Sequence, residues 1–238
     1  MRLAMWSGPR NISTAMMYAF AQRTDFCAID EPFYAAYLAR TGLAHPMRDE
    51  VLASQPKDPA QVVVDLATSA TGSAAHQYEK HMTQHMLQGT SLAWLGEAKN
   101  VFLIRHPARV VASFADRYEN PTLADIGFAA QAQIYRRVCA FDAEPVVIDS
   151  TDIRADPERT LRLLCDVLDL PWDPAMLSWP AGGCSADGVW ASHWYAAVHR
   201  STGFAGAEGS LPELSDALAA LAEEAQPYYE ELYANRVC

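Results

Sequence analysis

Short apolar segments recur along this 238-residue chain, and longer segments with helical patterns separate them. The apolar segments predict buried strands at Leu3–Trp6, Cys27–Asp30, Val101–Ile104 and Pro145–Asp149, with His76–Lys80 as a further candidate. Because parallel strands need a crossover between them, this alternation favours an α/β fold with three layers. We predict a mostly parallel central sheet with helices on both faces, in one domain over residues 1–238.

Helical patterns fill the segments between these strands. They predict helices that begin near Pro32, at Asp58-Pro59 and at Asp156-Pro157, and helices over Ala108–Ala115 and Thr122–Phe141. A short helix is expected around Met82–Met86, and Ser210–Glu213 has the pattern of a capping box before the last helix. The segment Thr41–Pro59 is rich in Pro, Gly and charge, which predicts a loop or lid.

Composition narrows the classes of function. A formal net charge of −11 at pH 7 disfavours nucleic-acid binding, which depends on broad basic surfaces. No apolar run is long enough to span a bilayer, and we expect no signal peptide. The scattered cysteines favour a reduced, cytoplasmic protein, and they are Cys27, Cys139, Cys165, Cys184 and Cys238.

The first predicted strand leads directly into a turn that suits an anion. Ser7–Ile12 has turn chemistry, and Ser13 or Thr14 can cap the helix that follows. A strand, a tight turn and a helix N-terminus direct backbone N–H groups at one point, where Arg10 adds a fork for phosphate or sulfate oxygens. The lysine and second glycine of a Walker A motif are absent, so we predict an anion cradle of another kind.

Polar residues follow several of the predicted strands. Arg10, Glu31, Lys80 and Arg105 each stand at or just after the end of a strand. Ligands of open parallel sheets bind outside the carboxyl ends of the strands. We therefore expect these four side chains to gather at one edge of the sheet.

A second anion-binding pattern follows the strand that ends at Ile104. Arg105 stands at the strand end, Pro107 sets the turn, and Ser113 lies eight positions after Arg105. An arginine and a hydroxyl in this arrangement can hold one phosphate between them. Together with the turn Pro9–Thr14, this pattern resembles the sulfotransferases that use 3′-phosphoadenosine 5′-phosphosulfate (PAPS).

The resemblance covers most of the chain. Asp156–Pro171 is similar to the family's helix after the fourth strand, and Arg200–Phe204 is similar to its C-terminal cofactor loop. Asn11-Ile12 stands where Ser-Gly is commoner, and the longer Arg-Lys-Gly pattern of the cytosolic animal enzymes is missing, so the chain is closer to bacterial members. The resemblance implies a sheet like that of P-loop NTPases, a loop or lid near 41–59, and a cofactor and acceptor segment near 181–204.

The resemblance also implies a role for each matching residue. Arg10 would bind the 5′-phosphosulfate and act catalytically by stabilising charge on the leaving phosphate. Glu31 would be the base and Lys80 its charge-stabilising partner, with His81 and His85 as alternative bases. The residues implied to bind the cofactor are Arg10, Asn11, Ile12, Ser13, Thr14, Arg105, Ser113, Arg200, Ser201, Thr202 and Gly203. The resemblance implies PAPS as the cofactor and a small acceptor with a hydroxyl or amine. Because sulfuryl transfer depends mainly on positioning and electrostatics, we expect no metal.

Other interpretations of the same residues stay open. A nucleotide-dependent phosphotransferase or kinase, or a non-catalytic nucleotide-binding protein, would also use an anion cradle. Arg105 could form a structural ion pair, and Glu31 could favour a helix N-terminus. The aromatic residues could line a pocket or belong to the core, and they are Trp190, Trp194, Tyr195 and Phe204. The acceptor and the oligomeric state, a homodimer included, are left open.

Overall fold

A computed structural model describes residues 1–69, 72, 74–87, 89–141 and 144–237. Across these residues, parallel strands form a five-stranded sheet in the order β2-β3-β1-β4-β5. The strands are β1 (Arg2–Ser7), β2 (Phe26–Asp30), β3 (His76–Met82), β4 (Lys99–Ile104) and β5 (Val146–Asp149). The predicted parallel sheet is therefore confirmed. Cys238, one of the cysteines counted above, lies outside the described residues.

Helices connect the strands. They are α1 (Ser13–Ala21), α2 (Tyr34–Thr41), α3 (Arg48–Ser54), α4 (Pro59–Thr68), α5 (Pro107–Ala115), α6 (Leu123–Ile126), α7 (Phe128–Cys139), α8 (Ser150–Ala155), α9 (Pro157–Val167), α10 (Ala191–Trp194), α11 (Ala196–His199) and α12 (Asp216–Tyr233). Short 3-10 helices cover Thr83–His85, Ala93–Glu97 and Pro174–Leu177.

The strand residues alternate between two apolar layers. Leu3 and Met5 of β1 pack on one face of the sheet with residues of α1 and α9, whereas Ala4 and Trp6 pack on the other with residues of α5, α7 and α12. All four of these β1 residues are 0% exposed, as a central strand covered on both faces requires. This arrangement confirms the predicted three layers with helices on both faces.

Two predictions in the N-terminal half need correction. The helix expected near Pro32 begins at Tyr34, because Glu31 takes a positive φ of 39° and its carbonyl accepts from the Tyr34 N–H before the helix starts. The predicted loop or lid near 41–59 contains helix α3, which places the buried Val51 against the core. The prediction missed this short helix because the segment is rich in charged residues and Pro.

Three further predictions needed correction. The helix predicted over Thr122–Phe141 is two helices, because Gly127 takes a left-handed conformation between α6 and α7. The last helix begins at Asp216 after Ser215, so the segment 210–213 does not cap it; a capping box occurs instead at Thr122 and Asp125. The helix expected around Met82–Met86 is reduced to the 3-10 turn Thr83–His85.

We expect Gly127→Ala to destabilise the protein more than Gly42→Ala. Both glycines have a positive φ, +75° and +70°, which costs an L-residue about 1–2 kcal/mol. A Cβ at Gly127 would lie 2.9 Å from Thr83 Oγ1, whereas a Cβ at Gly42 would meet nothing within 4 Å. Denaturant titration should therefore show an additional loss of about 1–3 kcal/mol for Gly127→Ala. Equal losses would contradict close packing at the break between α6 and α7.

Candidate functional site

A cavity of about 560 Å³ opens at the carboxyl edge of the sheet. Arg10, Glu31 and Arg105 follow β1, β2 and β4 and line it, and so does Lys80, which lies two residues before the end of β3 and not at the strand end predicted for it. The structure thus brings together the four polar residues that the strand ends suggested. They meet because all strands run parallel and so end at the same side.

The turn after β1 forms one wall of this cavity. Arg10 and Ile12 both have left-handed backbone conformations, with φ of 64° and 58°. Such a φ is a genuine outlier for a β-branched residue, and backbone strain of this kind clusters at ligand sites. Ile12 is the N-cap of α1, so the prediction that Ser13 or Thr14 caps this helix is wrong. Ser13 and Thr14 lie in its first turn and line the cavity.

The two predicted anion-binding elements are linked by direct hydrogen bonds. Arg10 Nε donates to Ser113 Oγ at 2.8 Å, and Arg105 Nη1 donates to the carbonyl oxygen of Arg10 at 2.6 Å. Asn11 Nδ2 donates to the carbonyl of Leu103 in β4 at 3.2 Å, which ties the turn to the neighbouring strand. Burial, together with the cations Arg117 and Arg105, lowers the pKa of Arg10. This wall of an acidic protein is therefore locally positive.

Arg105 also forms the ion pair that was considered as its alternative. Its Nη2 contacts Glu208 Oε1, and the same carboxylate contacts Arg109 and Arg154. Arg105 and Arg154 nevertheless line the cavity. Arg105 thus forms the structural ion pair and also lines the cavity.

Lys80 lies at the centre of a buried polar cluster. Its ammonium donates to Asp30 Oδ1 at 2.9 Å, Glu31 Oε1 at 2.5 Å and the hydroxyl of Tyr195 at 2.8 Å. The side chain of Lys80 is only 1% exposed. The parallel register places Asp30 beside Lys80 on neighbouring strands, so both side chains leave the same face of the sheet. The buried ammonium is therefore surrounded by oxygen atoms.

Sequence reasoning missed Asp30 and the role of Tyr195. Tyr195 OH lies 2.9 and 2.8 Å from the two carboxylate oxygens of Asp30, and it accepts from Trp190 Nε1 at 3.1 Å. Asp30 also accepts from the backbone N–H of Gly188. The adjacent acidic pair Asp30-Glu31 at a strand end was the available signal. No sequence pattern indicated the contact with Tyr195.

The two candidate histidines lie in different environments. His81 is outside the cavity, stacks on Trp6 at 4.4 Å and contacts Glu79 at 3.0 Å. His85 lines the cavity, and its Nδ1 lies 4.0 Å from Glu31 Oε2 without a hydrogen-bond partner among the described residues. Burial and the nearby Lys80 cation lower the pKa of His85 well below its usual range, so this imidazole is neutral at pH 7.

Aromatic side chains form the wall around His85. The His85 ring stacks between Tyr34 and Tyr37, with centroid distances of 4.7 and 4.8 Å. Tyr34 OH is 3.0 Å from Nδ1 of His45, a residue of the segment predicted as a loop or lid. Trp194 also lines this side of the cavity. The wall suits the apolar body of a small molecule.

The C-terminal segment 181–204 contributes to the cavity only in part. Ser201, Gly203 and Phe204 line it, whereas Arg200 and Thr202 do not. Trp194 and Tyr195 also line it, but Trp190 is a core residue at 1% exposure. The carbonyl of Thr202 accepts from the N–H of Trp179 at 3.1 Å, which fixes the backbone of this loop. The structure therefore supports a ligand-facing position for some of the predicted loop residues.

No group of three or more His, Cys, Asp or Glu side chains could hold a metal ion within the described part of the chain. Among the helices of those same ranges, none has the length and apolar character needed to cross a membrane.

Comparisons with known proteins agree with this architecture. A family model described as "Sulfotransferase domain" matches residues 1–236. Two Arabidopsis thaliana proteins, branched-chain-amino-acid aminotransferase-like proteins 1 and 2, are 41% and 39% identical over 199 residues, which is 84% of this chain. The chain spans only 36% and 35% of their lengths.

The same architecture occurs in a solved sulfotransferase from Alicyclobacillus acidocaldarius. Its TM-score is 0.54 at 14% identity, covering 99% of this chain and 96% of the other. At this identity the similarity establishes the fold.

We expect the Asp30 carboxyl to titrate near pH 6. Burial raises its pKa, Lys80 opposes the rise and Glu31 adds to it, which brings the pKa to about 6. Between these two pKa values the Asp30 carboxyl is protonated in the folded protein, whereas the same carboxyl in the unfolded chain, with a pKa of about 3.9, has lost its proton. Asp30 therefore contributes stability that is present below about pH 4 and is lost as the pH rises through about 6. Carbon-13 NMR of the carboxyl group measures this titration directly.

The matched stability experiment compares Asp30→Asn with Asp49→Asn, whose native side chain is 95% exposed. Between pH 4 and 7, the stability of the wild type relative to Asp30→Asn should fall by about 2–3 kcal/mol. The difference between the wild type and Asp49→Asn should stay flat. An Asp30 carboxyl that titrates below pH 4 would contradict the dominance of burial.

Proposed function

The chain belongs to the sulfotransferase domain family, and from that premise we propose that it transfers a sulfuryl group from PAPS to a hydroxyl or amine of a small acceptor. One observation carries the proposal. A single cavity is lined by the Arg10 turn, by Arg105 and Ser113, and by the pair Glu31 and Lys80. Anion-binding groups and a candidate base are thus within reach of one ligand.

The residues of the positive wall fit the two anionic ends of PAPS. Arg10, Ser13 and Thr14 would hold the 5′-phosphosulfate, because the first N–H groups of a helix lack intrahelical partners and favour an anion. Arg105 and Ser113 would hold the 3′-phosphate. Arg105 Nε is buried without a hydrogen-bond partner among the described residues, which leaves one donor of this guanidinium unused. When bound, PAPS supplies the activated sulfuryl group.

Glu31 is the base that we propose for the acceptor. Its Oε1 accepts from Lys80, whereas Oε2 lies 4.0 Å from Nδ1 of His85, and both Glu31 and His85 line the cavity. Oε2 is therefore the oxygen that can take a proton from an acceptor hydroxyl. A positioned base of this kind contributes about 10²–10⁴-fold to the rate. The neutral His85 beside it is the alternative base.

Lys80 acts through its charge. Its three N–H donors already reach three oxygen atoms, so it is fixed in place before any ligand binds. A fixed cation in a buried site stabilises developing negative charge more strongly than it would in water. Lys80 therefore holds Glu31 in position and supplies positive charge next to the reacting atoms.

The wall formed by Tyr34, Tyr37 and Trp194 supports a small organic acceptor with an apolar body.

The cysteines Cys27, Cys139, Cys165 and Cys184 are free thiols, which supports the proposal of a reduced, cytoplasmic protein. The aminotransferase part of the two plant relatives' names refers to proteins of which this chain spans about a third, so it carries no activity over to this chain.

We expect adenosine 3′,5′-bisphosphate to raise the Tm of this protein without Mg²⁺. A nucleotide kinase would instead be stabilised by ATP together with the metal.

We expect Arg10→Ala and Arg105→Ala each to weaken the binding of adenosine 3′,5′-bisphosphate about 10–100-fold, because each removes a charge-assisted hydrogen bond to phosphate. The control is Arg162→Ala, since Arg162 is half exposed on α9 and pairs with Glu158 away from the cavity. Calorimetry measures the affinities. Unchanged binding by Arg105→Ala would overturn the placement of the 3′-phosphate.

We expect Glu31→Gln to lower kcat about 10²–10⁴-fold and to leave the KM for PAPS nearly unchanged, because the base acts on the acceptor. Mass-detected transfer to a panel of small alcohols, phenols and amines measures the activity. His85→Gln is the paired variant. A larger kcat loss for His85→Gln would move the base to His85, and a wild type that binds the nucleotide but transfers to nothing in any panel would favour the non-catalytic alternative.

A further inference from the structure

Three arginines from different elements surround one carboxylate at the far end of the positive wall. Arg105 follows β4, Arg109 lies in α5 and Arg154 lies in α8, and all three contact the side chain of Glu208. Arg154 Nη1 is 2.6 Å from Oε1 of this glutamate, and Arg109 Nε is 3.1 Å from Oε2. The Glu208 side chain is only 2% exposed. Oε1 is thus paired with Arg105 and Arg154, whereas Oε2 contacts Arg109 without a hydrogen bond among the described residues.

Both terminal nitrogens of Arg105 already donate inside the protein. Nη1 donates to the carbonyl of Arg10, and Nη2 donates to Glu208. Each terminal nitrogen has a second N–H, but a phosphate that contacts the guanidinium through paired oxygens, as a carboxylate does, competes with these acceptors. The carbonyl of Arg10 belongs to the turn that forms the anion cradle. Glu208 is the acceptor that can leave without taking the cradle apart.

Glu208 lies in a segment that is attached to the rest of the protein by ion pairs and hydrogen bonds with arginines. We name residues 205–211 the strap. The strap has no regular secondary structure, and all its residues except Glu208 are exposed. Besides the Glu208 contacts, Arg154 Nε donates to the carbonyl of Gly206 at 3.0 Å, and Arg109 Nη2 donates to the carbonyl of Gly209. The same arginines therefore hold both its side chain and its backbone.

Apolar contacts fix the chain only on either side of the strap. Phe204 packs edge-on against Trp179 with a centroid distance of 5.2 Å, and Leu214 packs against the core beneath α12. Between these two points, no strap residue belongs to the apolar core of the described chain. Local opening of such a segment breaks few buried contacts.

We propose that Glu208 is an internal counter-anion that occupies the arginine cluster, and that the strap leaves this cluster when a phosphate takes its place. This inference rests on the proposed function, since the displacing group there is the 3′-phosphate of the nucleotide. A carboxylate and a phosphate present paired oxygens to guanidinium groups in the same way, so one can replace the other. Arg105, Arg109 and Arg154 outnumber the single carboxylate, so exchange of Glu208 for a phosphate dianion lowers the excess positive charge of the cluster from two to one.

The exchange regulates the site in two ways. Without ligand, Glu208 prevents three arginines from facing one another unpaired, which would be strongly unfavourable in a half-buried site. With ligand, each phosphate contact is gained at the loss of a carboxylate contact. Nucleotide affinity is therefore lower than the open cluster would give, and binding is coupled to release of the strap beside the cavity, where Ala205 is a lining residue.

The test is Glu208→Gln in the full chain, which removes the charge and keeps the shape. Calorimetry should show adenosine 3′,5′-bisphosphate binding about tenfold tighter to the variant, whereas adenosine 5′-phosphate, which lacks the 3′-phosphate, should change less than about twofold. The matched control is Glu231→Gln, because Glu231 pairs with Arg136 on the exposed surface. Weaker or unchanged nucleotide binding by Glu208→Gln would overturn the proposal.

Hydrogen exchange of the wild type gives a second readout. Addition of adenosine 3′,5′-bisphosphate should accelerate amide exchange in residues 205–211, and adenosine 5′-phosphate should not. Slower exchange would mean that the strap closes over the nucleotide, which also overturns the proposal.

Inorganic phosphate and pyrophosphate separate this inference from the proposed function. If they bind more tightly to Glu208→Gln while adenosine 3′,5′-bisphosphate binds to neither protein, the counter-anion stands and the proposed function fails. If the nucleotide binds the wild type but the variant shows no gain with any of these anions, the proposed function stands and the counter-anion fails.

Discussion

The buried ammonium of Lys80 is the interaction on which the rest of this site depends. A charge that is 1% exposed is tolerated only when it is fully paired, because desolvation of an unpaired ion costs several kcal/mol. Its partners Asp30 and Glu31 come from the end of β2, and Tyr195 comes from the C-terminal segment. One cation therefore fixes the edge of the sheet, the candidate base and the segment that closes the cavity.

The arginine cluster of the positive wall shows the same pairing with the signs reversed, since a buried carboxylate is surrounded by cations. Arg105, Arg109 and Arg154 are held at one place by the carboxylate of Glu208, much as Asp30 and Glu31 are held by Lys80. The difference lies in what surrounds each cluster. Lys80 is enclosed by the core, whereas Glu208 arrives on an exposed strap. The first cluster is therefore a fixed part of the fold, whereas the second is the cluster in which we propose that a ligand anion replaces the carboxylate.

The sequence predicted features that depend on neighbouring residues better than features that depend on residues distant along the chain. The strands and the three layers were predicted well, because a strand buried on both faces needs a run of apolar residues that can be recognised locally. The errors fell where a local pattern competed with packing. The pattern of Thr122–Phe141 continued through Gly127, but the close approach to Thr83 and Gly8 breaks the helix there. Likewise, no local pattern distinguished His81 from His85. His81 lies in β3 and stacks on Trp6, whereas His85 lies in the turn after β3 and stacks on Tyr34.

By itself the sequence determined the parallel sheet, the strand ends from which Arg10, Glu31 and Arg105 reach the cavity, and the strand, turn and helix of the predicted anion cradle. Each of these follows from residues that are neighbours along the chain. Only the tertiary structure decided which groups pair with them. Tyr195 is 115 positions from Lys80, and Glu208 is 103 positions from Arg105. A charged side chain takes whichever opposite charge the fold brings within about 3 Å, and that choice is made by the packing of distant elements rather than by any local pattern.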